Sequence, residues 1–272
     1  MVNDRAKSQL EYGASRDLEL SQLYHLSGLL KDISKEVIGD FGASSFYLMD
    51  MKELSKNKNA LDSLLSLSPK SLTELRGIFK YNFFIFDFKN KFMLTTGNNY
   101  GKSSNYNVLI RFRDIDIEDE KFYKFAKSKL RKEDKVLLKG HTLGYMDHCF
   151  SKMYFLSSLI KSKVELIQTE EDGPVEYLIT REELSKSKIG GHNVDLFKVL
   201  NSCDNESLSF LIDLFPEGPL RIADLKDEKI HTFSHVDGLY LHETTDRKNM
   251  PYVYSAAEKL FNKKDDFSAL YA

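Results

Sequence analysis

Tyr81-Asn-Phe-Phe-Ile-Phe-Asp-Phe88, then Lys89-Asn90, then Lys91-Phe-Met-Leu-Thr-Thr96 is the stretch whose reading decides the fold class. Aromatic and β-branched residues fill both arms around a short polar turn, the pattern of a β-hairpin. Val164 to Gln168 and Val175 to Thr180 flank Glu170-Glu-Asp-Gly-Pro174 and read as a second hairpin. Strands that arrive as antiparallel pairs with helices between them favour an α+β fold over a doubly wound parallel sheet. The expected architecture is a mostly antiparallel sheet with flanking helices and an N-terminal helical region.

Outward from that hairpin, Leu18, Leu20, Leu23, Leu26, Leu30, Ile33 and Val37 recur at three- and four-residue steps. They predict helix across the first 40 residues, ended by Gly39-Asp-Phe-Gly42. Ser45 to Met51 reads as a strand. Ser68-Pro69 is a helix start, with Ser at the N-cap and Pro at the first helical position. Gly97 to Asn107 reads as a loop and Val108 to Ile117 as a half-buried strand. Glu118-Asp119-Glu120 opens a helix with acids at its positive end, and Lys127 to Lys132 closes it with bases. After Val136-Leu-Leu138, Leu143 to Lys161 is a further helix. Glu182 to Lys188 and Val194 to Leu200 read as helices separated by Ile189-Gly-Gly-His192. Leu208 to Phe215 reads as a strongly apolar strand that carries Asp213, and Ile230 to Leu241 as strand. A polar loop through Asn249-Met-Pro251 precedes a closing helix near Ala256 to Phe261. No internal repeat stands out. The chain divides into a mainly helical region, 1–80, and an α+β domain, 81–272, or forms one continuous domain. Boundaries are expected in the Gly97–Asn107 loop or at Lys132–Asp134.

The 272 residues are 42% apolar and 12% aromatic, which excludes a mostly disordered chain. Thirty-nine Lys+Arg against 41 Asp+Glu leave a net charge of −2, so no global basic field draws the chain to nucleic acid or anionic lipid. Cys149 and Cys203 have no CxxC spacing, and free thiols in a reducing interior are expected. The first 20 residues lack the apolar core of a signal peptide, and no run approaches a membrane span. A cytoplasmic location is expected, and a secreted effector with a non-classical signal would read the same. Phosphate loops, GxGxxG, GxSxG, HExxH, paired CxxC, EF-hand and kinase signatures are absent.

Three histidines, His231, His235 and His242, fall within twelve residues beside Asp237, Glu243 and Asp246. On a strand, His231 and His235 share a face about 13 Å apart at ~3.3 Å per residue, too far to grip one ion. Surface and loop histidines are therefore expected, with no metal and no cofactor. His242-Glu-Thr244 has the His-x-Thr form of two-histidine phosphoesterases, but the second copy that chemistry needs is missing. Bases and aromatics mix at Tyr100, Lys102, Tyr106, Arg111 and Arg113, as on a single-stranded nucleic-acid surface. Lys124, Lys127, Lys129, Arg131 and Lys132 add a basic helix, diluted by Glu118, Asp119, Glu120, Glu133 and Asp134. A non-catalytic interaction or nucleic-acid-binding module is the alternative these residues support.

Three segments carry a resemblance. They are Leu143-Gly-Tyr-Met-Asp-His-Cys149, Glu165-Leu-Ile-Gln-Thr-Glu-Glu-Asp-Gly-Pro-Val-Glu-Tyr177 and Phe210-Leu-Ile-Asp-Leu-Phe-Pro-Glu-Gly218. Together they resemble the toxin-activating lysine acyltransferases, over the C-terminal half only. The chain has no Trp, where that family is Trp-rich. The resemblance implies an acetyltransferase-like C-terminal half, an acyl-carrier protein as donor and a protein or amine acceptor. It further implies His148 and Asp213 as the catalytic pair. In such a pair a neutral imidazole takes the proton of the attacking amine and the carboxylate holds its tautomer. Apart from any family, a carboxylate inside an apolar run is paired, functional or turned to solvent, and alternation favours solvent for Asp213. The sequence leaves open whether the chain forms a homo-oligomer.

Overall fold

The computed structural model describes residues 4–37, 45–80, 82–90, 92–99, 107–114, 120–131, 144–168, 175–189, 191–236 and 238–269. Gly39–Gly42, Lys102, Val136–Leu138, Glu170–Pro174, Asp237 and the boundary expected at Lys132–Asp134 lie outside them. Helix α1 (Asp4–Asp32) leads to strands β1 (Lys35–Val37) and β2 (Phe46–Asp50). Helices α2 (Met51–Leu54), α3 (Lys58–Ser66) and α4 (Pro69–Phe79) follow, then β3 (Asn82–Asp87), β4 (Phe92–Asn99), β5 (Asn107–Asp114) and α5 (Glu120–Arg131). The chain continues through α6 (Tyr145–Lys161), β6 (Glu165–Gln168), β7 (Val175–Thr180) and α7 (Arg181–Ser185). A small ribbon of β8 (Ser187–Ile189) and β9 (His192–Val194) precedes α8 (Leu196–Ser202) and α9 (Asn205–Asp213). Strands β10 (Leu220–Asp224), β11 (Lys229–Val236) and β12 (Leu239–Asp246) and helix α10 (Pro251–Ala269) complete it.

The class is α+β. Two compact units form, one from residues 20–151 and one from 1–19 with 152–272, so residue 80 falls inside the first. Each holds a five-stranded sheet, ordered β1-β2-β3-β4-β5 in one and β6-β7-β10-β11-β12 in the other. Both sheets are antiparallel except at one place, between β2 and β3 and between β7 and β10, where the pairing is parallel across intervening helices. On one face of the first sheet, Tyr47, Met49, Phe83 and Ile85 pack with Leu26, Leu30 and Leu75. On its other face, Phe46, Leu48 and Phe86 pack with Ala126 of α5. The second sheet does the same, with Tyr177, Ile222 and Phe233 against Leu156, Leu211 and Phe215. Its Leu178 and Ile230 lie against Val253 and Ala257 of α10.

The topology is therefore duplicated, and the sequence carries the trace. Asp17–Lys31 reads DLELSQLYHLSGLLK and Asp147–Lys161, 130 positions on, reads DHCFSKMYFLSSLIK; seven of the fifteen positions are identical. At the same offset Tyr47-Leu-Met-Asp-Met-Lys-Glu-Leu54 meets Tyr177-Leu-Ile-Thr-Arg-Glu-Glu-Leu184. In both, the fourth residue caps the following short helix: Asp50 accepts from the Lys52 amide and Thr180 from the Glu183 amide. Asp87 and Asp224 close equivalent turns, each accepting from the amides two and three residues ahead.

The shared core device is a buried ion pair. In one unit Lys31 Nζ lies 2.7 Å from Asp147 Oδ2, and Ser27 Oγ donates to the same oxygen at 2.7 Å. In the other, Lys161 Nζ lies 2.7 Å from Asp17 Oδ2, to which Ser157 Oγ donates at 2.6 Å. Each ammonium also stands 5.3 Å from an aromatic centroid, Phe79 for Lys31 and Phe215 for Lys161. Those rings meet Tyr47 and Tyr177 edge-on at 5.2 and 5.1 Å.

Several expectations change. Leu208 to Phe215 is helical, not a strand: Asp204 caps α9 by accepting from the Ser207 amide at 2.7 Å. Leu208, Leu211 and Ile212 then fall on one buried stripe. A short apolar run fits strand or helix equally well until a cap settles it. Val37 ends β1 instead of continuing α1, Gly97–Asn99 extend β4, and Ser187 and Lys188 in β8 and Val194 in β9 are strand where helix was expected. Ile230 to Leu241 splits into two paired strands. No helix among the described residues is long and apolar enough to cross a membrane.

Removing one member of a buried ion pair strands its partner in low dielectric, at a cost of about 3–5 kcal/mol. Asp17→Ala and Asp147→Ala should each lower stability by that amount in urea unfolding. Asp17→Leu combined with Lys161→Met should recover most of it.

Candidate functional site

In the unit of residues 1–19 and 152–272, β11 is longer than its neighbour. Phe233 pairs with Leu220, the first residue of β10, so Ser234, His235 and Val236 run on past the start of that strand. The turn Pro216–Pro219 crosses the gap, and a cleft of about 620 Å³ opens there. Asp213, Arg221, Thr232, His235, Glu243 and Met250 line it. His235 comes from the sheet face that α9 covers and Arg221 from the opposite face, and only the sheet end lets both reach one cleft.

His235 is held on both ring nitrogens. Nδ1 lies 3.0 Å from Asp213 Oδ1 and Nε2 lies 3.0 Å from Ser209 Oγ. An ionised carboxylate only accepts, so in the neutral imidazole the proton belongs on Nδ1 and Nε2 is left to accept from Ser209 Oγ. The Asp213 side chain, 63% exposed, is turned to solvent at the helix end, as its place in the apolar run suggested.

Arg221 is the second unusual group. Its Nε and Nη2 donate to Glu176 Oε2 and Oε1 at 2.6 and 2.8 Å, and Nη1 donates to Thr232 Oγ1 at 2.8 Å. Burial pulls the guanidinium pKa down, but the Glu176 hydrogen bonds and charge outweigh it, and the net shift is upward. In the duplicated scheme Glu176 corresponds to Phe46 and Arg221 to Phe84, which form an edge-on aromatic pair with centroids 5.7 Å apart. One copy of the fold thus keeps an apolar pair where the other buries a bidentate ion pair beside a cleft. The fold itself does not need those charges. With Glu176 neutralised by Arg221, Asp213 and Glu243 leave the cleft an excess of negative charge, which favours cationic ligands.

His148 lies in the other unit. Its Nε2 is 2.9 Å from Asp32 Oδ2, and Asp32 Oδ1 accepts from the Gly144 amide at 3.1 Å. A Cβ on Gly28 would fall 2.6 Å from the His148 ring, so that glycine makes room for it. The carboxylate on His148 is therefore Asp32, and the imidazole on Asp213 is His235. Each member of the expected pair has its partner within its own unit. Both cysteines are free thiols, and burial raises the pKa of Cys203.

Of the basic candidates, Lys124 pairs with Glu120 at 2.8 Å, and Lys127 and Lys129 stand 5.5 and 5.2 Å from the Tyr123 and Phe125 centroids. Lys102 and the side chains of Arg111, Arg113 and Arg131 lie outside what the structure describes. Of the clustered histidines, His231 and His242 meet at 5.7 Å, while His242 stacks on Phe233 at 4.2 Å. Among the described residues no group of three or more His, Cys, Asp or Glu is placed to hold a metal ion. Sequence reading missed the contact of His235 with Asp213 and the Arg221–Glu176 pair. The 130-residue self-similarity would have exposed the second, by showing Phe46 opposite Glu176.

Two outcomes follow. Glu176→Phe with Arg221→Phe, which copies the aromatic pair, should leave the urea midpoint near wild type, whereas Arg221→Ala alone should cost about 3–5 kcal/mol. Burial lowers the pKa of His231 and His242. The unfolded chain then binds more protons as pH falls below about 6.5, so stability falls with pH in that window. Urea titrations at pH 7.5 and 5.5 should show this fall, and His242→Phe should reduce it.

No family model matches the chain, and no curated protein and no solved structure matches it either.

Proposed function

We propose that the chain is an acyl-group transferase acting on an amine, with His235 as general base and Asp213 as the group that holds its tautomer. The observation that carries this reading is the 3.0 Å contact of Asp213 Oδ1 with His235 Nδ1 at the wall of a 620 Å³ cleft. An ammonium ion is not nucleophilic, so acyl transfer to an amine needs a base with a free lone pair at the acceptor. Nε2 of His235 supplies one once the incoming amine displaces Ser209 Oγ from it. Asp213 and Glu243 attract the cationic acceptor, and Asp213 stabilises the imidazolium that forms when the proton moves. The resemblance to lysine acyltransferases supports the same chemistry and the same aspartate, with the imidazole moved from His148 to His235. An acyl thioester on a carrier protein is the donor that resemblance implies.

The test is transfer of a labelled acyl group from acyl-carrier protein to a lysine peptide by the full chain. His235→Ala and Asp213→Asn should each slow transfer by at least ~10²-fold, the usual worth of a positioned base. Glu243→Gln should raise KM for the peptide more than it lowers kcat. Wild-type rates in both His235→Ala and Asp213→Asn, or loss on His148→Ala alone, would overturn the assignment.

A further inference from the structure

A base acting directly on the amine would need only His235 and Asp213, yet a hydroxyl already occupies the lone pair of that imidazole. We propose that Ser209 is the covalent carrier of the acyl group; the proposal rests on the acyl-transfer reading and adds a step to it. Ser209 and Asp213 are four residues apart on α9, so they project from one helix face. The His235 ring, delivered by β11, lies across that face with Nδ1 at the carboxylate and Nε2 at the hydroxyl, each at 3.0 Å. Nucleophile, base and orienting carboxylate thus stand in the order that lets an imidazole remove a serine proton. The helix is anchored beneath them by Leu208, Leu211 and Ile212, all buried. That anchoring holds the hydroxyl at a fixed distance from the ring.

The step balances with an acyl thioester as donor and a primary amine as acceptor. Ser209 Oγ attacks the thioester carbonyl while its proton passes to His235 Nε2. The C–O bond forms, the C–S bond breaks, and the departing sulfur takes that proton from the imidazolium. The amine then attacks the seryl ester and gives its proton to Nε2. The C–N bond forms, the ester C–O bond breaks, and Oγ recovers the proton. Nothing is oxidised or reduced.

The experiment uses the full chain and a fluorophosphonate, which loses fluoride to an activated serine and leaves a stable adduct. Mass spectrometry of the wild type should place the adduct on Ser209. Labelling should disappear in Ser209→Ala and slow by at least ~10²-fold in His235→Ala, with far-UV circular dichroism unchanged in both. Ser209→Cys, which keeps the size of the side chain, should instead take up iodoacetamide at that position. No adduct on Ser209 in the wild type, or labelling at an equal rate in His235→Ala, overturns the proposal. Wild-type transfer by Ser209→Ala also overturns it but leaves the direct route through His235 standing. Labelling of Ser209 without any transfer to amine would uphold the nucleophile and remove the acceptor.

Discussion

A lysine ammonium and an aspartate taken out of water impose the tightest condition in this molecule. An ion buried in low dielectric costs several kcal/mol, and attraction repays that only when the geometry is good and the remaining lone pairs are filled. Both Lys31–Asp147 and Lys161–Asp17 meet the condition in the same way: a 2.7 Å contact, a serine donor on the same oxygen, and an aromatic ring beside the ammonium. The ring in turn packs on a tyrosine of the sheet. Helix, ring and strand are thereby placed together by one set of charges. Within each unit the register of the paired helix segments follows, because a shift of one residue would turn a charge away from its partner.

That device is repeated, but the surroundings are not. The sheet of residues 20–151 keeps Phe46 against Phe84, and the other sheet substitutes Glu176 and Arg221 at the corresponding positions. A duplicated fold can carry such a change, since the first copy shows the scaffold closing without it. Arg221 borders the cleft that Asp213 and His235 also line. The repeated residues hold the architecture, and the Arg221–Glu176 pair is one place where the two copies differ. The His148–Asp32 contact belongs to the other copy and has no equivalent at positions Leu18 and Ser162.

Strong local signals were legible. The Ser68 cap with Pro69 opens α4, the aromatic arms around Lys89-Asn90 pair as β3 and β4, and the 164–180 stretch pairs as β6 and β7. The run from Leu208 to Phe215 was not, because apolar residues at six of eight positions satisfy both periods and only the Asp204 cap decides between them. The duplication is faint in the sequence. At Asp17–Lys31 and Asp147–Lys161 the identities are spread across a helix at contact positions, while the exposed positions between them have diverged. Asp213 was legible as an unusual carboxylate, whereas its partner was not, since no sequence rule says which of seven histidines a helix end will meet.

By itself the chain determines the α+β class, the β3–β4 and β6–β7 hairpins and the Ser68-Pro69 helix start, because those depend on side-chain period, caps and turn residues within a few positions. Only the tertiary structure decided that β11 outruns β10 and so exposes His235 at the sheet end, or that Arg221 finds Glu176 across a parallel pair. Those contacts join residues 22 to 45 positions apart, and strand register and chain crossover set such distances, while local preference carries no information about them.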